Sequence, residues 1–509
     1  MARTFASMAC SCVLSLTFAC GTAASSGGTG GGADAVVDTG PVGVTATGIA
    51  APTAFTCTSA SKNAAGFSWQ ASPTAGIDGY VVERAGLTGD FVAQPGVAAT
   101  VLTFADLTIV QSATYRYRVR AKSGSTLGDT SNEVTVGAPA TGFHTAATAA
   151  SASTGSFGAG LELTLDGNGD PAVVFFDGSA LQFVGWDRRS GGWKAPSKIT
   201  GSLALASGGA ASIGLAFDSA GLNGTYAVVW AAADGQELDW ALSTDGGQTW
   251  KPDTIAVSPA KSAYSLPTLA IGNGKAHVAW LQDGARLFYA TGTLSTAPKG
   301  WTAKLEAPAA VKADALLAVA PAIALDAGLN PAIGYFSHGT DGGAIATFWR
   351  PGDAHAASIV DSLGFADANA SIGLAFAGSK PRAAVTVHHS AATAQAVVFV
   401  TSDLGNSWGT ALPLPIDGSG GGGGATRLVT SSKDVSAIAY ASSAPGGGKC
   451  GEPKLALSAD GTTWSTCSPD SDGSRSKSAQ FARIALGSDG KRWLAWLDPS
   501  AGVQVWREP

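Results

Sequence analysis

From about residue 140 onward the chain repeats one unit: a short apolar strand, a turn of Gly, Asp or Asn, and a second strand that usually ends in an aromatic residue. Clear copies are LELTLDGNGDPAVVFF, IGLAFDSAGLNGTYAVVW, PTLAIGNGKAHVAW and PAIALDAGLNPAIGYF, followed by IGLAFAGSKPRAAVTV, TRLVTSSKDVSAIAY and ARIALGSDGKRWLAW. Equivalent second-strand positions hold Phe175, Trp230, Trp280, Tyr335, Val387, Tyr440 and Trp496, at successive spacings of 55, 50, 55, 52, 53 and 56 residues. Gly, Val and Thr saturate the pattern and no 3.6-residue apolar stripe appears, so helical repeats are excluded. A unit of this size holds four short strands, and such a sheet buries its two faces only by stacking on its neighbours. The expected architecture is an all-β propeller of seven blades, or six if one copy is degenerate. The last copy ends at Pro509 after three strands. The segment GFHTAATA at 142–149 is the expected donor of the missing outer strand, closing the ring without an open edge.

A second repeat lies inside the first. STDGGQTW at 243–250, TSDLGNSW at 401–408 and SADGTTW at 458–464 share a polar residue, an aspartate, a glycine and a tryptophan. Asp245, Asp403 and Asp460 are expected to accept N–H groups of their own turns, as Asx turns do. Gly247 allows a positive φ, and Trp250, Trp408 and Trp464 can then fold back between sheets. These octapeptides resemble the Asp box of sialidase-like (BNR) propellers, the third copy being one residue short. In that family the box joins the third and fourth strands of a blade, on the face opposite the loops that lead into each blade. The boxes therefore read as structural staples.

Function is expected on the other face, here called the leading face. The positions that begin each blade hold Glu162, Gly214, Thr268, Ala322, Gly373, Arg427 and Arg483. After the second strands come Asp177, Asp234, Asp283, His338, His388 with His389, and Asp498. Acids, imidazoles and arginines thus converge on one rim, the usual ligand site of this architecture. Several of them, as in FFDG and LQDG, are also ordinary turn residues. The resemblance to sialidases implies an arginine clamp for a carboxylate, a Tyr/Glu nucleophile pair and an acid/base Asp. The clamp's first arginine would fall in blade one, where Glu162 stands, and FARIAL around Arg483 lacks the family's proline. No Tyr/Glu pair stands out, so hydrolysis is the alternative reading. DGNGD at 166–170 has the oxygen spacing of a calcium loop without its closing glutamate, and reads as a turn. No metal or cofactor is expected.

Residues 50–138 carry alternating runs at sandwich spacing: FSWQAS, YVVERA, TYRYRVRAKS and SNEVTV. With Pro52, Trp69, Tyr80, Leu107 and Tyr115 in place, the segment resembles a fibronectin type III domain. That resemblance implies a core of Trp69, Tyr80, Leu107, Tyr117 and Val119, a corner tied by the Tyr115 hydroxyl, and a spacer role. The domain organisation is then a signal at 1–20, a Gly/Ala/Ser linker at 21–49, the sandwich at 50–138 and the propeller at 140–509.

The N-terminus carries Arg3 and a short apolar run to Ala19, too short for a permanent membrane span. Cys20 and the GTAASSGGTGGG that follows resemble a bacterial lipoprotein signal and tether, although Thr17 occupies the position where that family prefers leucine. The alternative is a plain signal peptide cut near Ala24. Either implies export, and the only membrane association expected is a lipid anchor. Cys450 and Cys467 flank the third Asp box on what would be facing strands, and a disulfide is expected there. Cys57 is left over as a buried free thiol. A net charge of −6 and the absence of a basic run argue against nucleic acid. The reading is an exported, monomeric surface protein that binds a glycan or a protein partner without catalysis. A sialidase-type hydrolase and a purely structural surface protein are the alternatives.

Overall fold

The computed structural model describes residues 48–508 except 62, 87–88, 111–112, 138–141, 148–159, 178, 200–212, 219–224, 233, 259–261, 284–285, 295–300, 302–304, 307–318, 339–343, 361–370, 389–394, 415–426, 442–452, 468–479 and 499–500. All regular structure among these residues is β-strand.

Residues 53–137 form two packed sheets. Thr53–Ala60, Ala65–Gln70 and Thr103–Asp106 make one. Gly79–Gly86, Thr114–Ser123, Thr126–Thr130 and Val134–Gly137 make the core of the other. Period-two alternation sends Phe67, Trp69, Tyr80, Tyr117 and Val119 into one core, with the Phe67 and Tyr117 rings 4.4 Å apart. The Tyr115 hydroxyl accepts the Val110 N–H at 3.3 Å, which fixes the corner.

Leu107 departs from the expectation: it is 73% exposed, and Ile109 fills the core in its place. The cause is Asp106. Its carboxylate is buried, accepts the Tyr117 hydroxyl at 2.9 Å and Arg84 Nη1 at 2.8 Å, and caps Thr108. With Asp106 facing in, strand alternation turns Leu107 out. Cys57 is half-buried rather than buried. Its thiol donates to Ser59 O at 3.1 Å, and burial pushes its pKa up, so it stays protonated.

The other described residues form seven antiparallel sheets, six of them with their strands in chain order. Sheets 1 to 7 begin with Leu161–Leu165, Gly214–Asp218, Tyr264–Gly272, Ala322–Leu325, Ser371–Ala377, Arg427–Thr430 and Gln480–Leu486. Each first strand lies against the first strand of the next sheet, and that of sheet 7 lies against that of sheet 1, so the series closes. Sheet 7 contributes three strands of its own. Its fourth is Gly142–Ala147, which pairs with Gly502–Arg507 from Gly142↔Arg507 to Ala147↔Val503. This pairing covers the edge of Gly502–Arg507 and gives sheet 7 an outer strand from the other end of the unit. In sheet 1 the outer edge is broken into Gly192–Trp193 and Ser197–Lys198.

The first strands explain the ring. The residues just after the blade-opening positions are Leu163, Leu215, Leu269, Ile323, Leu374, Leu428 and Ile484, a layer of branched aliphatics wedged between sheets. Two residues beyond each blade-opening position come Thr164, Ala216, Ala270, Ala324, Ala375, Val429 and Ala485, all half-buried. Small side chains there let seven strands converge on one axis.

Candidate functional site

The seven residues expected to open the blades occupy one level of the ring. They lie opposite Val174, Val229, Ala279, Gly334, Ala384, Ala439 and Ala495 respectively, each the residue before the aligned second-strand position; in sheet 5 this makes Val385, and not the expected Val387, the equivalent residue. Glu162, Gly214, Thr268, Ala322, Gly373 and Arg427 line a central cavity of about 150 Å³. The level is polarised. Arg427, Arg483 and Glu162 stand on the consecutive sheets 6, 7 and 1, while glycine, threonine, alanine and glycine occupy sheets 2 to 5. Gly214 is needed for packing: a Cβ there would meet Leu269 Cβ and Val229 Cγ1 at 2.7 Å.

Glu162 Oε2 accepts both arginines, from Arg427 Nη2 and from Arg483 Nε at 3.2 Å. Arg483 Nη1 also donates to the Ala482 carbonyl at 3.2 Å. Burial pushes the Arg483 guanidinium down to about 10; Glu162 opposes this and the neighbouring Arg427 reinforces it. One carboxylate therefore faces two guanidiniums, an excess of one positive charge in a low-dielectric channel. Arg427 Nε is buried and has no partner among the described residues.

The other rim residues behave differently. Asp177 caps its own turn, accepting Ser179 N and Ala180 N at 2.8 Å and Gln182 Nε2 at 2.7 Å. Burial pushes its carboxyl up, but Ala180, Ser179 and Gln182 together hold it below the usual range. Asp283, at φ 56°, accepts the Ala263 N–H at 2.7 Å, tying the strand into sheet 3 to the following turn; that bond holds its carboxyl low. Asp234 accepts the Gln236 N–H at 2.9 Å, and the buried Asp498 accepts the Ala501 N–H at 3.1 Å. His338 and His388 are the last residues of their second strands, paired with Ala344 and Gln395; their side chains, and His389, lie outside the described residues. The structure thus gathers Glu162, Arg427 and Arg483 into one cluster and commits the aspartates to turns.

The repeated octapeptides bind sheet to sheet. Asp245 accepts Gln248 N at 3.0 Å, Thr249 N at 2.9 Å and the Ser243 hydroxyl at 2.8 Å. Despite the burial that opposes it, the Thr249 hydroxyl and N–H lead in pulling its carboxyl down to about 2. Asp460 does the same through Thr462 N and Thr463 N. Asp403 does not: it pairs with Lys380 at 2.9 Å on the surface. The serine bond to the box glycine is kept in all three copies, Ser243, Ser402 and Ser458 Oγ accepting the N–H of Gly247, Gly405 and Gly461. Trp250, Trp408 and Trp464 lie edge-on to Phe183, Phe348 and Phe399 of the preceding sheets, at 5.2, 5.4 and 4.8 Å.

One recurrent pairing is absent from the sequence reading. Arg188 Nε donates to Asp170 Oδ2 at 2.6 Å and Arg188 Nη2 to Asn168 O at 2.7 Å, so a guanidinium fills the centre of the DGNGD loop. Arg350 on Asp326 and Arg507 on Asp489 repeat the device, at 3.0 and 2.8 Å. The signal was an arginine at the end of the third strand in GWDR, TFWR and QVWR. Among the described residues no group of His, Cys, Asp and Glu could hold a metal ion. Cys20, Cys450 and the Cys467 side chain lie outside the described residues, so the expected lipidation and disulfide do too.

Residues 50–137 match the fibronectin type III domain family. A search of curated proteins returns no match. Among solved structures, the chain is similar to the Hadza microbial sialidase Hz136, at 12% identity over 85% of this chain and 89% of that one, with a TM-score of 0.40. It is similar to a fucose-recognising lectin of Aleuria aurantia, described as a six-bladed β-propeller, at 13% identity over 58% and 91%, with a TM-score of 0.38. It is also similar to an Fn3-like protein from Clostridium thermocellum, at 25% identity over 18% and 92%, with a TM-score of 0.15.

Proposed function

We propose that this chain is an exported bacterial surface protein that binds a glycan or a protein partner without chemistry. A signal at 1–20 directs export, and Cys20 carries a lipid anchor. The stretch 21–49 is a tether, the fibronectin type III domain a spacer, and residues 140–509 a seven-bladed Asp-box propeller, with a Cys450–Cys467 disulfide behind its third box. The leading face holds the partner.

The carrying observation is the state of the acids on that face. Asp177 and Asp283 accept backbone N–H groups and are held below the usual carboxylate range, which suits turn caps and disfavours a general acid. Glu162 is engaged by two arginines rather than standing beside a tyrosine. Glycosidic hydrolysis needs one carboxyl that holds a proton near neutrality and a second group as nucleophile or base. Convergent polar groups around an axial cavity suit binding instead. A glycan array probed with the full chain tests the reading. Saturable hits that weaken with substitutions at the channel mouth support it, and an array with no hits favours the purely structural alternative.

A further inference from the structure

We propose that the Asp-box face carries a pocket for one uncharged pyranose ring, set between sheets 1 and 2 with Phe183 at its floor and Lys194 and Gln248 at its rim. The inference goes beyond the leading-face reading and does not depend on it.

Three local features build the cavity. The first is in the broken outer edge of sheet 1. Lys194 N donates to Gly185 O and Ser197 pairs with Phe183, so Ala195 and Pro196 stand against the single residue Val184. A bulge of this kind bends its strand and re-aims the side chains beside it. The second is Gly185, which puts no side chain next to Phe183. The third is the first Asp box. Gly247 lies against the Phe183 ring, and Gly246 leaves room for Lys194, whose Nζ is 3.7 Å from where a Cβ on Gly246 would stand. The second box has the exposed Leu404 at the position matching Gly246. The Ser197 hydroxyl donates to Gly247 O and accepts Trp250 Nε1 at 3.2 Å, which pins the box to the far side of the bulge.

The result is a cavity of about 200 Å³ whose lining includes Phe183, Gly185, Lys194, Ser197, Gly247 and Gln248. An apolar cavity of about 150 Å³ holds a benzene ring, so one six-membered ring with its substituents fits here. The lining selects the ligand. Phe183 and the two glycines give an apolar floor, and few polar groups stand above it, as in most small-molecule sites. Lys194 supplies donors. Gln248 is anchored through Nε2 to Asp245 O at 3.1 Å, so its Oε1 is the end that can accept. A hydroxyl both accepts and donates, and neighbouring ring hydroxyls match this pair. Asp245 stands in the same turn and offsets the lysine charge, which disfavours an anion.

The test is a saturation-transfer difference NMR titration of the full chain with methyl pyranosides of glucose, galactose, mannose and N-acetylglucosamine, and a parallel titration with sodium sulfate. Saturable binding of at least one pyranoside is expected, and none of sulfate. Lys194→Met keeps the apolar stem and loses the donors; it is expected to weaken binding at least fivefold. Gly185→Ala adds a methyl in ordinary contact with Phe183, 3.5 Å from Cε1, and is expected to weaken binding at least threefold. Thermal unfolding of both variants is expected to stay close to wild type. Thr268→Val, in the central cavity, is expected to leave the titration unchanged, which separates this pocket from the leading face. The ring has two sources, a free monosaccharide or the terminal residue of a glycan. A disaccharide that displaces the bound pyranoside assigns the terminal residue, and one that does not assigns the free sugar. Absence of saturable binding by every pyranoside, saturable sulfate binding in their place, wild-type affinity in Lys194→Met or Gly185→Ala, or loss in Thr268→Val overturns the proposal.

Discussion

Arg483 and Glu162 stand 321 residues apart in the chain, yet Arg483 Nε donates to Glu162 Oε2 at 3.2 Å. The contact bridges the last sheet to the first and sits where the ring closes. Glu162→Gln leaves two guanidiniums without their shared carboxylate, one of them fully buried, and is expected to cost about 3 kcal/mol. Every tryptophan except Trp69 lies beyond residue 140, so fluorescence-detected urea unfolding reports this unit. Arg483→Met in the Glu162→Gln background is expected to recover part of the loss. An unchanged midpoint in Glu162→Gln would show that the cluster contributes nothing to closure.

Gly247 is held at φ 85°, and a Cβ there would overlap the ring of Phe183 in the preceding sheet. Gly378 has a similar φ of 66° with nothing within 4 Å of its Cβ position. Gly378→Ala is therefore expected to cost about 1 kcal/mol for backbone alone, and Gly247→Ala about 2–4 kcal/mol for backbone and overpacking together. Equal costs would mean that the box is a local turn and not a clip between sheets.

His277 is buried with Nδ1 2.7 Å from the Tyr289 hydroxyl. Burial, helped by Lys275, pushes its imidazole down to about 4. Its folded pKa lies below the unfolded value of about 6.5, so the unfolded chain takes up the proton first. Stability from this group is complete above about pH 6.5 and is lost as pH falls toward 4. A loss of about 2 kcal/mol over that window is expected in wild type, and less in His277→Gln. Denaturant midpoints measured across the window compare the two slopes.

The strand Gly142–Ala147 belongs to the far end of the chain by pairing and not to the sandwich that precedes it. A fragment of residues 138–509 is expected to unfold cooperatively as a monomer. A fragment of residues 150–509 exposes the edge of Gly502–Arg507 and is expected to self-associate in sedimentation experiments. Identical behaviour of the two fragments would show that the donated strand is dispensable.

Much of this architecture was legible in the sequence, because a repeat writes the same local physics seven times. The spacing that aligns Trp230 with Trp280 also aligns Glu162 with Arg427 and Arg483, which is why the channel level could be named from the chain alone. Legibility failed where two residues compete for one role. Leu107 and Ile109 are both apolar, and only the buried Asp106 decides which faces in. Asp403 matches Asp245 and Asp460 in its motif, yet Lys380, a neighbour only in space, draws it out of its turn. The acids at 177 and 283 stand in FFDG and LQDG, which also read as ordinary turns, and the structure has both accepting backbone N–H groups there.

The central claim is that the leading face binds without chemistry. Its most direct test is incubation of the purified full chain with a fluorogenic sialoside, following fluorophore release across pH 4–8. No release above the uncatalysed rate is expected at any pH. Turnover that disappears in both Arg427→Ala and Arg483→Ala would contradict the account and make the arginine pair part of a hydrolase site.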